Sequence, residues 1–278
     1  MKKILAISGG VDSMCLLRMM KDDKDAVVAH FNHGTRPSSD DDEAFVKSYA
    51  KKYGLPFYAQ KAQLGPNISE ADARAARYAF LNDLAKKQGG EIYTAHHLND
   101  LLETIAINFT RGTGWRGLTP FNNVAIKHPL LRFTKTEIYR YAAANEIVFR
   151  QDPTNNERGY LRNRLRPAIA TLIVEQPDLA EKLNNLYLRQ CVLRVEIEKL
   201  CSEILPFSRT YKRSWFQDLD DDTAEELLRF CLERHGISVT RPQLQDFLSA
   251  IRTYGSGKQF NLPKGQMIRF NKTDFMLE

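Results

Sequence analysis

Short apolar runs alternate with amphipathic stretches through the first half of the chain. Each apolar run is bounded by turns or polar residues, as buried parallel strands usually are. Four such strands are predicted, at Ile4–Ile7, Val27–Phe31, Phe57–Ala59 and Ile92–Ala95. Helical spacing between them predicts helices near 12–21, 40–53, 69–88 and 99–109. Repeated β-α units predict an α/β fold with a doubly wound, mostly parallel sheet, which binds ligands at the carboxyl ends of its strands.

The pattern changes near residues 167–177. Apolar residues then fall at helical spacing from Asp178 to about Ile204, which predicts a long connecting helix. Two amphipathic helices and an alternating tail, typical of a small hairpin, follow it. The chain is therefore predicted to hold a large α/β domain over 1–177, a connecting helix over 178–205, and a smaller, mainly helical α+β domain over 206–278.

Composition narrows the class of protein. With 43% hydrophobic and 27% charged residues among 278, the chain is typical of globular proteins. No apolar run approaches the roughly 18–20 residues that a membrane helix needs. Ser8 ends the first apolar run too early for a signal peptide. The four cysteines are scattered without a CxxC pair. We expect a cytoplasmic protein with reduced, buried cysteines, no membrane partner and no disulfide framework.

Charge is unevenly distributed along the chain. The formal net charge is +6, and the segment Arg111–Arg166 alone holds 11 Lys and Arg residues against 4 Asp and Glu. Such a segment is either a solvated basic face or a surface for a polyanion such as RNA. Charge alone leaves both interpretations open.

The first predicted strand runs into the hexamer Ser8-Gly9-Gly10-Val11-Asp12-Ser13, which opens the first helix. A glycine-rich turn between a strand and a helix N-terminus commonly binds phosphate. The alternative interpretation of the hexamer is a tight turn capped by Ser and Asp. The lysine of the familiar phosphate loop is missing here. A second glycine-rich segment, Gly255–Gln259, lacks the required Ser/Thr and first Gly, so we expect only a turn there.

The hexamer resembles the PP-loop of the N-type ATP pyrophosphatases, which have an adenine nucleotide α-hydrolase-like fold. These enzymes adenylate an oxygen and release pyrophosphate. The resemblance implies an ATP site formed by Ser8, Gly9, Gly10, Val11, Asp12 and Ser13. It also implies that Asp12 orients the loop or meets Mg²⁺.

Five further segments resemble the tRNA(Ile)-lysidine synthetases in order and spacing. They are "HFNHGTRPSSDDDEAFV", "ISEADARAARYAFL", "TAHHLNDLLETIAINFTRGTGWRGLTP", "HPLLRFTKTEI" and "RQDPTNNERGYLRNRLRP". The second domain resembles that family's first C-terminal domain. The resemblance implies that 1–177 is the catalytic domain and that 206–278 is a tRNA-binding domain.

The resemblance implies a specific ligation. Lysine is joined to C2 of the wobble cytidine of the CAU-anticodon isoleucine tRNA, after ATP has adenylated that cytidine. AMP and pyrophosphate are released, and the resulting lysidine changes codon reading from AUG to AUA. The implied partners are this tRNA, free lysine, ATP and Mg²⁺, and a homodimer stays open.

The resemblance also implies roles for individual residues. Asp100 and Glu103, at i and i+3, share one helix face and are catalytic candidates, with Arg111 and His33. His97 is expected near ATP, and Asp12 with Asp100 near Mg²⁺. From the residues alone, Asp100 and Glu103 are equally well explained as first-turn acids favoured by the helix dipole. His96 is expected to be structural.

A basic set is implied to contact the tRNA: Arg74, Arg77, Arg162, Asn163, Arg164 and Arg166. Arg74 and Arg77 are equally well explained as the solvated face of an amphipathic helix. Trp115 and Tyr160 are aromatic candidates for stacking on a base, although we favour core positions for both.

One residue departs from the family pattern. In that family the segment at Thr94–Pro120 commonly reads His-x-Asp-Asp-x-x-Glu-Thr, whereas this chain has Asn99 before Asp100. Asn99 carries no charge, and we expect it to cap the helix. Asp100 then remains for acid, base or metal chemistry.

Four other functions compete with this one. A tRNA thiolase would use paired cysteines, which the chain lacks. Amide-forming relatives that make GMP, NAD or asparagine do not explain the basic Arg111–Arg166 segment. A non-catalytic RNA-binding module with an inactive nucleotide fold stays open because of Asn99, although the intact hexamer and Glu103 argue against it. A universal-stress-type ATP-binding protein would have no need of these acids.

Overall fold

The computed structural model describes residues 1–34, 39–62, 69–150 and 161–278. They form two compact units, Met1–Arg189 and Gln190–Glu278. Within this described part of the chain, no helix combines the length and the apolar character needed to cross a membrane.

The first unit alternates strands and helices. They are β1 (Lys2–Ala6), α1 (Val11–Met20), β2 (Ala26–Asn32), α2 (Ser39–Lys52), β3 (Phe57–Lys61), α3 (Glu70–Gln88), β4 (Gly90–Tyr93), α4 (Leu98–Thr110), β5 (Ile126–Lys127), α5 (Lys135–Ala144), α6 (Leu161–Glu175) and α7 (Pro177–Ile204). The first four strands, the first four helices and α7 begin and end within two residues of the predicted bounds, whereas β5, α5 and α6 were not predicted. The boundary between the two units falls inside α7.

Five strands among the described residues form a parallel sheet in the order β3-β2-β1-β4-β5. In the central strand, Ile4 is aligned with Val27 of β2 on one side and with Ile92 of β4 on the other. The chain winds outward from β1 to β3 and then returns to β4 on the opposite side. Strand order therefore reverses between β1 and β4, where sheets of this kind bind ligands beyond the carboxyl ends of the strands. The predicted doubly wound α/β fold is confirmed.

Both faces of the central strand are covered by helices. Ile4 packs in a cluster with Phe80 and Leu84 of α3, whereas Leu5 packs in another with Leu17 of α1. Ile4 and Leu5 are both 0% exposed. Successive side chains of a strand point to opposite faces, so a continuous apolar run follows from burial on both sides.

The second unit continues from α7 with a small antiparallel sheet and two main helices. Its elements are β6 (Thr210–Lys212), α8 (Ser214–Gln217), α9 (Asp221–Arg234), α10 (Arg241–Thr253), β7 (Gln259–Asn261), β8 (Met267–Phe270) and β9 (Asp274–Leu277). The sheet order is β6-β9-β8-β7. The predicted hairpin is thus extended to four strands, since the tail supplies three and β6 pairs with the last of them. Gly255–Gln259 forms a turn into β7, as expected.

The four cysteines, all among the described residues, form no disulfide bond. Cys15, Cys201 and Cys231 are buried and Cys191 is half-buried. Burial raises the pKa of Cys15 to about 11 and that of Cys231 to about 12. Both thiols therefore stay protonated near neutral pH, which is the state of a structural cysteine and not of a nucleophile.

Candidate functional site

The loop between β1 and α1 is held open by Ser13. The Ser13 hydroxyl oxygen accepts hydrogen bonds from the backbone N–H groups of Ser8 at 3.2 Å and Gly9 at 3.1 Å, and donates to the carbonyl of Gly10 at 2.9 Å. Gly9 has a φ of +95°, which favours glycine. Gly10 is the N-cap of α1 and supplies no side-chain cap. The first-turn N–H groups of α1 are therefore left for a ligand or water, as in an anion site.

Asp12 lies in this first turn and pairs with a lysine from a distant segment. Lys135 Nζ lies 2.6 and 2.8 Å from the two carboxylate oxygens of Asp12. Thr134 caps α5 in a reciprocal capping box with Glu137, which fixes Lys135 as the first residue of that helix. Sequence reasoning missed Lys135. The Thr-x-x-Glu pattern around it was the available signal for a helix start.

His97 joins Asp12 to Asp100. The ring nitrogen Nδ1 of His97 accepts the N–H of Asp100 at 3.4 Å, and the Asp100 carboxylate accepts the N–H of His97 at 3.1 Å. With Nδ1 as an acceptor, neutral imidazole carries its proton on Nε2. His97 Nε2 lies 3.5 Å from Asp100 Oδ2 and 3.7 Å from Asp12 Oδ1. The ring is 5% exposed. Three predicted site residues thus meet at the carboxyl edge of the sheet.

Asn99 does not cap α4, contrary to expectation, because His97 is the N-cap residue. Asn99 is buried, and its Oδ1 accepts the backbone N–H of Lys135 at 2.9 Å. This bond joins the N-termini of α4 and α5. It requires an oxygen acceptor but no charge, so an amide suffices at this position.

Glu103 lies one turn beyond Asp100 and is 1% exposed. Its carboxylate accepts a hydrogen bond from Arg166 Nε at 3.0 Å and lies 3.6 Å from Arg162 Nε. Burial tends to lower the pKa of Arg166, but the hydrogen bond and charge of Glu103 raise it above its usual value. Glu103 therefore holds two α6 arginines beside the start of α4.

Three other members of the predicted tRNA-binding set, Arg74, Arg77 and Arg164, are among the described residues. Arg164 is exposed on α6. The side chain of Asn163 and the whole of Tyr160 lie outside the described residues. Arg74 and Arg77 lie early in α3, over the Tyr78 ring at 4.9 and 5.4 Å.

Three predicted residues remain, His33, Arg111 and Trp115. The first follows β2, the second caps the end of α4, and the third follows α4. His33 follows β2 at the carboxyl edge, edge-on to the Phe31 ring with 4.8 Å between centroids. Arg111 is the exposed C-cap of α4. At 1.5 Å per residue it lies about 16 Å along the helix from Asp100, so the fold does not bring the two together. Trp115 is half-buried, with Arg116 over its ring at 5.1 Å.

His96 belongs to an aromatic cluster with Phe121 and His128. The Thr94 hydroxyl lies 2.8 Å from Nδ1 of His96 and 2.7 Å from Nδ1 of His128. Burial, aided by neighbouring positive charges, lowers the pKa of His96 to about 2 and that of His128 to about 4. Both rings are neutral near pH 7, which agrees with the structural role expected for His96.

Magnesium fits this site only in company with a nucleotide. The described residues contain no group of three or more His, Cys, Asp or Glu side chains placed to hold a metal. Asp12 and Asp100 supply hard oxygen donors beside the loop. Mg²⁺ is commonly bound by one or two carboxylates together with substrate phosphates and water. The donor set is therefore suited to magnesium that arrives with ATP.

Comparison with known families agrees with this geometry. A family model described as a PP-loop domain matches residues 1–173. The chain belongs to the PP-loop family. The U34-tRNA thiolase NcsA from Methanococcus maripaludis has a similar fold, with a TM-score of 0.57 and 17% identity over 68% of this chain and 72% of that one.

Curated relatives of this PP-loop protein are tRNA(Ile)-lysidine synthases. The one from Pseudothermotoga lettingae is 32% identical over 90% of this chain and 60% of its own length. Those from Thermus thermophilus and Streptococcus pyogenes are 37% and 31% identical, over 64% and 99% of this chain. They are matched over 37% and 64% of their own lengths. The chain thus spans less than two thirds of these relatives.

Proposed function

We propose that this PP-loop protein is an ATP-dependent tRNA(Ile)-lysidine synthetase. It ligates lysine to C2 of the wobble cytidine of the CAU-anticodon isoleucine tRNA and releases AMP and pyrophosphate. The observation that carries the proposal is the meeting of Asp12, His97 and Asp100 at the anion-binding turn, with the α6 arginines anchored one helical turn away. The named relatives support the choice of substrate.

In the first step, O2 of the cytidine attacks the α-phosphorus of ATP. A phosphorus–oxygen bond to O2 forms, and the bond to the pyrophosphate leaving group breaks. The first-turn N–H groups of α1 bind the pyrophosphate unit and stabilise the charge that develops on it. Bound Mg²⁺, held through Asp12 and Asp100, would supply further charge neutralisation.

In the second step, the ε-amine of lysine attacks C2, and the C2–O2 bond breaks to release AMP. The attacking nitrogen loses a proton, which the Asp100 carboxylate accepts. Asp100 is the carboxylate that we assign to the amine, since it is partly exposed and His97 holds it beside the loop. His97 Nε2–H faces both carboxylates and orients them.

We assign Arg162, Arg164 and Arg166 to the tRNA backbone. Arg162 and Arg166 lie beside the turn that carries Asp100, because Glu103 anchors both. A phosphate bound there would bring an unstacked anticodon base close to the carboxyl edge. In this assignment Glu103 positions the arginines and does not contact the reacting atoms.

Lysine incorporation tests the proposal. Purified protein, Mg-ATP and labelled lysine are incubated with isoleucine tRNA transcripts that carry CAU or GAU anticodons. We expect ATP-dependent label on the CAU transcript alone, and its loss in Asp12→Ala and Asp100→Ala. Asp23→Ala is the matched control, since Asp23 also pairs with a lysine, Lys3, but at the amino end of β1.

The outcomes separate the alternatives. AMP formation that depends on tRNA, without labelling, would retain the activation step and reject lysine as the nucleophile. Absence of both label and AMP with the wild-type protein would favour the non-catalytic RNA-binding module.

A further inference from the structure

Lys135 supplies a cation beside the first turn of α1. The turn Ser8–Ser13 contains no cation, although it leads into a helix N-terminus of the kind that binds phosphate. The fold brings Lys135 Nζ to 2.6 Å from Asp12, a residue of that first helical turn. The cation that the loop lacks is therefore supplied by a segment 123 residues away.

We infer that Lys135 is a phosphate-binding residue. When a nucleotide binds, the Lys135 ammonium separates from Asp12 and contacts the polyphosphate. The inference rests on the proposed function, in which ATP binds at this turn. Two features prepare Lys135 for the exchange. Its side chain is 31% exposed, so a ligand can reach it. Its Nζ lies 5.1 Å from the Tyr139 ring centroid, a cation–π contact that favours this side-chain position.

The backbone of Lys135 is fixed more firmly than its side chain. Thr134 caps the helix that Lys135 begins, and Asn99 accepts the N–H of Lys135. The ammonium can therefore change its contact by side-chain rotation, while the Lys135 backbone stays fixed beside the N-terminus of α4. A lysine is suited to this task because its charge sits on a long, rotatable chain.

Charge balance explains why the site needs this cation. Glu103 is matched by two arginines, whereas Asp12 is matched by Lys135. Without Lys135, the carboxylates of Asp12 and Asp100 would face a polyphosphate anion and repel it. With Lys135 present, one ammonium neutralises Asp12 in the free protein and then the phosphates, while Asp12 becomes available to nucleotide-borne magnesium.

Equilibrium binding tests the inference without tRNA or lysine. Isothermal titration gives the Kd for ATP and for inorganic pyrophosphate, and competition with ATP gives the Kd for adenosine. In Lys135→Met we expect affinity for both phosphate ligands to fall by about 10- to 100-fold, as loss of a charge-assisted hydrogen bond predicts. Adenosine should bind as it does to the wild type. Lys135→Arg should restore ATP affinity to within about threefold, because the charge is retained.

Lys3→Met is the matched control. Lys3 pairs with Asp23 at 2.6 Å, and the side chains of this pair are 34% and 26% exposed, close to the 31% and 30% of Lys135 and Asp12. It should leave ATP affinity unchanged. Wild-type affinity for ATP and pyrophosphate in Lys135→Met would overturn the inference but not the proposed function. An equal loss of adenosine binding would also overturn it, since that would indicate general distortion. Failure of the wild-type protein to bind ATP would refute the proposed function itself.

Discussion

The buried carboxylate of Glu103 gives the sharpest energetic prediction. Glu103→Gln keeps the shape of the side chain but removes the charge that faces Arg166 at 3.0 Å and Arg162 at 3.6 Å. Removing one partner of a buried ion pair typically costs about 3–5 kcal/mol. Here the arginine side chains are 42% and 33% exposed and regain hydration, which reduces the cost. We therefore expect the free energy of unfolding to fall by about 2–3 kcal/mol.

Urea unfolding followed by tryptophan fluorescence measures the free energy of unfolding of the first structural unit, Met1–Arg189. Of the two tryptophans, Trp115 lies in the unit that contains Glu103, so a Trp215→Phe background isolates its signal. Glu91→Gln is the control, because Glu91 pairs with Lys127 at 3.2 Å in a more exposed setting. That substitution should cost less than about 1 kcal/mol. If the two variants lost equal stability within about 0.5 kcal/mol, the claim that Glu103 anchors the arginines would be wrong.

Three further predictions concern the same edge of the sheet. Asn99→Leu leaves the N–H of Lys135 without its acceptor and should cost about 1–3 kcal/mol in thermal or urea unfolding, whereas Asn99→Asp should retain stability and ATP affinity. Ser13→Ala removes the acceptor of two loop N–H groups and should weaken ATP binding in titrations while the fold persists. The pKa of His128 is lowered from 6.5 to about 4 in the folded protein. As the pH falls below 6.5, the unfolded chain therefore binds this proton before the folded protein does. The free energy of unfolding decreases from there down to about pH 4. At pH 5 this loss amounts to about 2 kcal/mol, and His128→Asn should show a correspondingly smaller drop between pH 7 and pH 5; an unchanged drop would refute the assignment.

The fold was largely predictable because its signals are local. Residues 4–7 and 27–31 are apolar without interruption, as strands covered on both faces must be, and the structure has β1 and β2 there. The position of the loop at the reversal of strand order followed from the same alternation of strands and helices. The strand β4 lies two residues earlier than predicted, at Gly90–Tyr93 instead of Ile92–Ala95, because its pairing with β1 runs from Gly90 opposite Lys2 to Tyr93 opposite Leu5.

The contacts within the site were harder to predict because they join distant segments. Nothing near Asp12 indicates that Lys135 would reach it. The helix cap was misassigned because His97 and Asn99 both lie at the start of a helical pattern. His97 is the cap because its ring accepts the N–H of Asp100, whereas Asn99 accepts the N–H of the distant Lys135. The motif placed Arg111 and Asp100 together as catalytic candidates. In the structure Asp100 lies in the first turn of α4 and Arg111 caps its other end.

The most direct test of the account is the chemical identity of the tRNA product. The CAU-anticodon transcript is treated with the protein, Mg-ATP and lysine, digested to nucleosides, and analysed by liquid chromatography and mass spectrometry. The account predicts a cytidine derivative whose mass has increased by one lysine less one water, formed only when ATP and lysine are both present. Unmodified cytidine, recovered from a reaction in which the wild-type protein has bound ATP and tRNA, would contradict it.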